Sequence, residues 1–599
     1  YFLFTLIGLN IIIIIFYFVR LSSSSSSLSY SQISKFQEIF VSDVLSLAVC
    51  IHSTINKMYK IIIINEHFSI DTIYSVAKPN FLLIMIDDLR TTLGCYGDTN
   101  SYTPNIDHLA KQGIIFSQAY AQQALCAPSR NSILTSRRPD TLQLYDFYSY
   151  WRDTVGNFTT LPEYLKNNGY NTMSVGKIFH PGISSNNSDD SPYSWSEKPF
   201  HPYTNRYKDA PVCQTNKNSF PAKNLVCPVD IKFMPNKTLP DIEILNKAKR
   251  YIHTHKNDVK PFFLAVGFQK PHIPLKYPKK YLRYHPLGKF NVPKPYAWPN
   301  NTDSVAYNPW IDLRKRNDIQ RLHLKFPWEK IPENFAKLII QSYYGAVSYI
   351  DDIIGKLIYQ LNISKILKKT VIILTSDHGW SLGEHAEWGK YSNFDVSVRV
   401  PLIISIPSMT FKVCNLDAHS PSIKSEISNA IVELVDIFPT IAELAGIPVP
   451  ICSNVEKKSY NNGKQQSVCT EGISLLPVIR TTIPWKKAAF SQYPRPGIAP
   501  TLRPNSDEPR LKEITIMGYS LKSHEFRYTA WIPFVSENKT ANWKIIIGEE
   551  LYNHNNDSAE YFNLARSPDH LKKKIELRTL LRDGWRKALP DYIQLDEKY

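Results

Sequence analysis

The sequence predicts an α/β protein: an open, mainly parallel β-sheet with helices on both faces, followed by a smaller C-terminal α+β unit. Two observations predict it. Short unbroken apolar runs read as strands buried on both faces, and they alternate with capped helical segments. Phe81–Ile86 is the first such run. Thr103-Pro104 opens a helix closed by Gly113, with Thr as N-cap and Pro at the first helical position. Thr160, Leu161 and Pro162 open a second, closed by Gly169, and a strand at Tyr170–Val175 follows. Phe262–Phe268, Thr370–Thr375 and Val400–Ile406 are further strands, Glu333–Leu367 is a long amphipathic stretch, and Val435–Leu444 reads as helix. Beyond about Ile447 the texture changes. Cys452 and Cys469 bracket a polar loop, the strand-like runs Glu513–Ser520 and Phe526–Pro533 follow, and His570–Leu589 reads as a helical tail. The expected organisation is a leader and atypical extension at 1–77, a main α/β domain at 78–450 and a smaller unit at 451–599.

Composition narrows the function classes. The 599 residues are 43% apolar and 21% charged, which excludes a disordered or collagen-like chain. Eight Cys are too few for a disulfide scaffold, and the lack of heptads or longer repeats argues against coiled coils and solenoids. Lys plus Arg number 70 against 53 Asp plus Glu, a surplus of 17 that favours a polyanionic partner: nucleic acid, an anionic membrane or a sulfated polysaccharide. A nucleic-acid role has only that charge behind it, with no motif, and is not expected. Tyr1–Val19 is almost wholly apolar and ends at Arg20, so it reads as a secretory signal core, with a membrane anchor as the alternative. A serine run, Ser22–Ser27, follows, and residues 28–75 carry no domain pattern. Once a signal is removed, no stable membrane association is expected.

The chemistry gathers at strand ends. Asp87-Asp88 follows the strand Phe81–Ile86, and Asp377-His378 follows Thr370–Thr375. In open α/β sheets ligands collect at the carboxyl ends of strands. Two acidic pairs there can converge on one hard cation, Ca²⁺ or Mg²⁺, although Asp after a strand is also ordinary turn chemistry. Cys126-Ala127-Pro128-Ser129-Arg130, followed by Leu134-Thr135-Ser136, is the more specific signal. A lone buried Cys is otherwise a structural thiol or a disulfide partner.

The pattern C-x-P-S-R resembles the signature of the sulfatase family. The family's usual continuation is L-T-G, and here Ser136 stands in place of the Gly. Further blocks match a glycosaminoglycan-degrading branch of that family: Asp87-Asp88-Leu89-Arg90, Met173-Ser174-Val175-Gly176-Lys177, Phe179-His180-Pro181-Gly182, Lys270-Pro271-His272-Ile273-Pro274, Asp377-His378-Gly379-Trp380, Lys390-Tyr391-Ser392-Asn393 and Ser491-Gln492-Tyr493-Pro494-Arg495. The similarity spans roughly residues 78–565. His378 agrees with this branch, whereas the usual sulfatase has Asn there.

The resemblance implies an alkaline-phosphatase-like core and hydrolysis of the 2-O-sulfate of iduronate in dermatan and heparan sulfate. It implies one Ca²⁺ held by Asp87, Asp88, Asp377, His378 and residue 126, with Cys126 oxidised to formylglycine (3-oxoalanine) by the formylglycine-generating enzyme. The hydrated aldehyde has two hydroxyls on one carbon. One attacks sulfur and releases the sugar alcohol; loss of the other's proton expels the sulfate as the aldehyde reforms. A plain Ser would be trapped as a stable ester. Arg130 is expected to orient the diol, Lys177 to bind sulfate oxygens and His180 to abstract the diol proton. His272 and Lys390 are expected on the leaving-group side, one of them assisting departure of the alcohol. Trp380 either stacks on a sugar or packs internally. Arg495 and Lys512 are candidates, by location only, for the uronate carboxylate. Two rival readings remain: a formylglycine-dependent phosphodiesterase or phosphonate hydrolase, and a non-catalytic homologue that binds sulfated glycosaminoglycan.

In a secreted protein, Cys213 with Cys227 and Cys452 with Cys469 are the expected disulfides, Cys95 a free core thiol, and Cys50 and Cys414 have no evident partner. Seven N-x-S/T sites, at Asn157, Asn186, Asn236, Asn300, Asn362, Asn538 and Asn556, support a secretory route. A lysosomal location follows from the family resemblance.

Overall fold

The structure is a computed structural model that describes residues 78–214, 220–407, 426–452, 468–480 and 483–593. The signal or anchor expectation, the serine run, Cys50 and Cys414 lie outside those residues.

A seven-stranded sheet forms the centre. Its strands are β1 (Asn80–Ile86), β2 (Ile114–Tyr120), β3 (Asn171–Gly176), β4 (Phe262–Phe268), β5 (Thr370–Ser376), β6 (Arg399–Ser405) and β7 (Glu426–Glu433), in the order β7-β2-β6-β5-β1-β4-β3. Only β6 runs against its neighbours; every other pairing is parallel. The unbroken apolar runs are explained by burial on both faces. Leu82, Ile84 and Ile86 of β1 face one core, with α1 (Pro104–Lys111), α4 (Pro240–His255) and α5 (Glu333–Ile363). Phe81, Leu83 and Met85 face the other, with α2 (Cys126–Thr135), α3 (Leu161–Asn167) and α6 (Ile437–Leu444). Alternate β1 residues therefore serve opposite layers.

Local signals are read partly as expected. Thr160 caps α3 in a full capping box with Glu163. Thr103 does not cap α1 with its side chain: its hydroxyl accepts from the Gly94 amide and donates to Asp107, leaving Pro104 as the start signal. The tail helix is shorter than the apolar pattern implies. α7 (Leu571–Asp583) stops where Gly584 takes φ +88°, and a single 3₁₀ turn follows at Trp585–Ala588.

The C-terminal part carries a five-stranded antiparallel sheet: β8 (Ala489–Arg495), β9 (Ile516–Lys522), β10 (Phe526–Val535), β11 (Thr540–Ala541) and β12 (Gly548–Asn553). It is tied to the large sheet by buried charge. Glu433, at the end of β7, accepts two bonds from Arg138 at 2.7 and 2.8 Å and one from Lys486 at 2.8 Å. Lys486 also reaches Asp436 at 2.6 Å, and the Phe490 amide donates to Glu433 at 2.9 Å. Disulfides join Cys213 to Cys227 and Cys452 to Cys469. Cys95 is free but only partly buried.

Gly267 in β4 is required by close approach to the end of β3. A Cβ there would sit 1.9 Å from the Lys177 carbonyl oxygen and 2.3 Å from its carbon. Both contacts are with backbone, so no flexible side chain can give way. Gly267→Ala is expected to destabilise the fold by about 1–3 kcal/mol, read as an earlier midpoint in urea unfolding; an unchanged midpoint would contradict this packing.

Candidate functional site

Strand register assembles the site. β1 and β5 pair in parallel with Ile86 beside Ser376, so the next residues, Asp87-Asp88 and Asp377-His378, leave the sheet side by side. On the other flank of β1, Ile86 lies beside Phe268, and Gly267 beside Gly176. The segments after β4 and β3 therefore deliver His272, Lys177 and His180 to the same edge. Ser376 ties the turns together: its hydroxyl lies within hydrogen-bond distance of the Ile86 and His378 carbonyls, and the Leu89 amide donates to it. Asp88 has φ +63°, a left-handed conformation that Asp tolerates better than most residues. Tyr343 of α5 holds this turn by donating to the Asp88 carbonyl at 2.7 Å.

Asp87, Asp88, Cys126 and His378 each offer a ligand atom within 4.8 Å of one another, and all four are buried. Cys126 begins α2, so the positive end of that helix faces the cluster. Its Sγ lies 3.3 Å from His378 Nε2, 3.5 Å from Asp87 Oδ1 and 3.1 Å from Lys390 Nζ. His378 Nδ1 is 3.1 Å from the Gly379 carbonyl, which fixes the proton on Nδ1 and turns the Nε2 lone pair to the cluster. Asp377 stands just beside this group. It accepts from Arg130 Nε at 2.8 Å and from the Asp88 and His378 amides.

The electrostatics are those of a crowded anionic site with matched cations. Lys177 Nζ is 2.7 Å from Asp87, Lys390 Nζ 2.9 Å from Asp88, and Arg130 bridges Asp87 and Asp377. Burial works to raise the Asp87 carboxyl, but Lys177, then His272 and Arg130, hold it well below the usual carboxylate range. Asp88 goes the other way: burial, reinforced by Asp87 and Asp377, pushes it up to about 7 against the pull of Lys390. Burial takes His378 down to about 4, keeping the imidazole neutral, and pushes the Cys126 thiol up to about 12, helped by Asp87. Asp88 Oδ2 is buried with no hydrogen-bond partner. An orphaned carboxylate oxygen in a cluster of two aspartates, an imidazole and residue 126 fits a divalent cation.

A cleft of about 230 Å³ opens beside the cluster, lined by Asp87, Lys177, His180, Lys208, Lys270 and His272 among others. His180 and His272 are both held well below the ordinary histidine value, by burial first and then by Lys177 and Lys208 respectively. His272 Nε2 is 3.9 Å from Asp88, while its Nδ1 is 2.6 Å from the Ile273 carbonyl. His180 packs on Phe147 and has a buried Nδ1 without a partner.

Several residues sit elsewhere than the motif spacing suggests. Arg130 makes no hydrogen bond to Cys126. Its guanidinium is consumed by Asp87, Asp377, the Lys177 and Ile178 carbonyls and Met85. Lys390 reaches Cys126 and Asp88 directly. Trp380 is buried in the core and offers no face to a sugar. Arg495 is buried and donates to the Val305, Ala306 and Pro494 carbonyls, and Lys512 is exposed; neither lines the cleft. Lys208 and Asn205 do line it. They belong to a short 3₁₀ segment, Tyr203–Tyr207, and its C-cap, where no periodicity or motif marks them in the sequence.

Comparisons with known proteins agree with this geometry. The Sulfatase family model matches residues 79–447. The chain is 45% identical to the iduronate 2-sulfatase of Mus musculus over 82% of this chain and 91% of that protein, and 45% identical to that of Homo sapiens over 81% and 90%. Among solved structures, a phosphonate monoester hydrolase from Silicibacter pomeroyi superposes with TM-score 0.62 at 19% identity, covering 86% of this chain and 96% of that one. A structure bound to D-glucosamine-2-N,6-O-disulfate does so with TM-score 0.57 at 22% identity, covering 87% and 100%. The last two establish the fold alone. With the family model covering more than half of the chain, and close relatives matched over most of their length, the chain belongs to the sulfatase family.

Proposed function

We propose that the protein hydrolyses the 2-O-sulfate of iduronate residues in dermatan sulfate and heparan sulfate, with Ca²⁺ as its cation and Cys126 converted to formylglycine by the formylglycine-generating enzyme. The observation that carries the reading is the meeting of Cys126 with Asp87, Asp88 and His378 at one buried point. The two iduronate 2-sulfatase relatives supply the substrate.

Asp87, Asp88, His378 and residue 126 hold the cation, with Asp377 alongside. Bound there, it neutralises charge on the sulfonyl centre, which otherwise repels an attacking oxygen. The converted Cys126 supplies a hydroxyl to attack sulfur and a second one through which the sulfate leaves. Arg130 fixes the Asp87 and Asp377 carboxylates and so positions the cation ligands. Lys177 and Lys390 bind sulfate oxygens; they flank the cluster with ammonium groups that Asp87 and Asp88 keep charged. His180, neutral and with a free ring nitrogen, takes the diol proton. His272 faces the leaving group. Burial and Lys208 hold it neutral, but a sulfate anion beside it raises its proton affinity, and it then hands that proton to the departing alcohol.

A secretory, lysosomal setting is part of the same reading. It is supported by two disulfides and by the exposure of all seven candidate glycosylation asparagines. No helix among the described residues is long and apolar enough to cross a membrane.

Mass spectrometry of the peptide containing residue 126 is expected to show a loss of about 18 Da relative to unmodified Cys; a fully unmodified thiol in active enzyme would overturn the mechanism. Cys126→Ser is expected to bind substrate, release at most one equivalent of sugar alcohol and stop, and sustained turnover by it would refute the role of two hydroxyls. Chelation, or Asp88→Asn, is expected to lower kcat by about 10²–10³. Added Ca²⁺ should raise the melting temperature of the wild type but not of Asp88→Asn; equal shifts in both would place the cation elsewhere.

A further inference from the structure

Three lysines line the cleft, and two are already engaged. Lys177 pairs with Asp87 at 2.7 Å. Lys270 donates to the Pro274 carbonyl at 2.8 Å and to that of His272. The Lys208 ammonium has no acceptor or ion-pair partner among the described residues. Its acidic neighbours are committed: Asp209 pairs with Arg316 at 2.7 Å, and Asp312 meets Arg316 at 3.8 Å and the Tyr391 hydroxyl at 3.3 Å. Asn205 stands three residues before Lys208 on the same 3₁₀ turn, where side chains at i and i+3 eclipse, and it too lines the cleft. Its side-chain amide makes no hydrogen bond among the described residues.

We propose that Lys208, with the Asn205 amide beside it, is the specificity-determining anchor for a second anionic group of the substrate, the carboxylate of the same uronate ring whose sulfate meets the metal cluster. This rests on the function proposed above and deepens it by naming what recognises the uronic acid. The cleft, at about 230 Å³, falls below the usual range for drug-sized ligands and suits about one sugar ring. A second anion reaching Lys208 therefore belongs to the ring that carries the sulfate, not to a neighbouring sugar. The local balance points the same way. Burial lowers the proton affinity of Lys208, and Lys177 adds to that against the pull of Asp312 and Asp209. A bound carboxylate offsets both effects, and the adjacent amide supplies a neutral donor to the second carboxylate oxygen.

The test uses the full-length enzyme on two monosaccharide substrates: a fluorogenic 2-O-sulfo-iduronide, and its carboxyl-reduced counterpart with the sulfate unchanged. Lys208→Met is expected to raise KM for the uronide about 10–100-fold, and Lys208→Arg to recover most of that affinity. On the carboxyl-reduced sugar, wild type and Lys208→Met are expected to share one KM. An unchanged KM on the uronide overturns the proposal. An equal rise on both substrates also overturns it, since Lys208 would then act on the sulfate end or on the fold. A defect confined to an N-sulfated disaccharide would assign the anion to a neighbouring sugar and likewise refute it. Wild-type turnover of neither monosaccharide would sink the iduronate reading itself, and this inference with it; wild-type turnover with no effect of the variant would sink this inference alone.

Discussion

The pairing of β1 with β5 is the constraint on which the rest depends. Parallel strands in register end together, and here the residues after the two ends are Asp87-Asp88 and Asp377-His378. One slip of register would carry every β1 side chain to the opposite face, since alternate residues serve opposite cores. Position at the sheet edge is thus secured by buried apolar residues that have no part in the chemistry. The helix α2 adds the third component. It runs beneath the same edge and presents Cys126 from its first turn, where the hydroxyl of Ser129 ties it to the Asp377 carbonyl.

Charge balance at that point explains why so many ionisable groups can be buried together. Three carboxylates, Asp87, Asp88 and Asp377, face three cations, Arg130, Lys177 and Lys390. Each carboxylate thus has a cation of the protein's own beside it, so none is an uncompensated buried charge. The side chains differ in kind for a physical reason. Arg130 is fully buried, and its planar fork bonds two carboxylates and two backbone carbonyls at once, more acceptors than the three donors of a lysine can serve. Lys177 and Lys390 present compact ammonium groups, paired with Asp87 and Asp88 respectively. Arg130 thus sits beneath the cluster, bonded to Asp87 and Asp377 rather than to Cys126.

What was legible in the sequence follows from the same physics. Phe81–Ile86, Phe262–Phe268 and Thr370–Thr375 announce themselves because a strand covered on both faces must be apolar throughout. β2 and β7 do not: Ser117 and Gln118 interrupt one, and the first half of the other is largely exposed. The large helix α4 is also easy to miss, since Lys, Asn and His break up its apolar stripe. Among site residues, those at the ends of apolar strands could be found by position, and the remainder through the family motif. The cleft wall could not. Asn205 and Lys208 sit in irregular chain, and only folding shows that they face the same space as Lys177 and His272.

The departure from L-T-G at Ser136 shows how a motif residue can be replaced without losing its geometry. Ser136 ends α2 with φ +49° and ψ +39°, a conformation in which glycine is free of strain and serine is not. The side chain provides compensation that glycine lacks. Its hydroxyl donates to the Val435 carbonyl at 2.6 Å and accepts from the Gly472 amide at 3.1 Å. Each buried hydrogen bond is worth about 1 kcal/mol, comparable to the cost of about 1–2 kcal/mol for holding a side-chain-bearing residue in the left-handed region. The exchange is close to neutral for stability, and it anchors the far end of α2 to the turn before α6. The end of the helix that carries Cys126 is then held by Asp377 and the other end by Val435, so the reactive position is fixed from both sides.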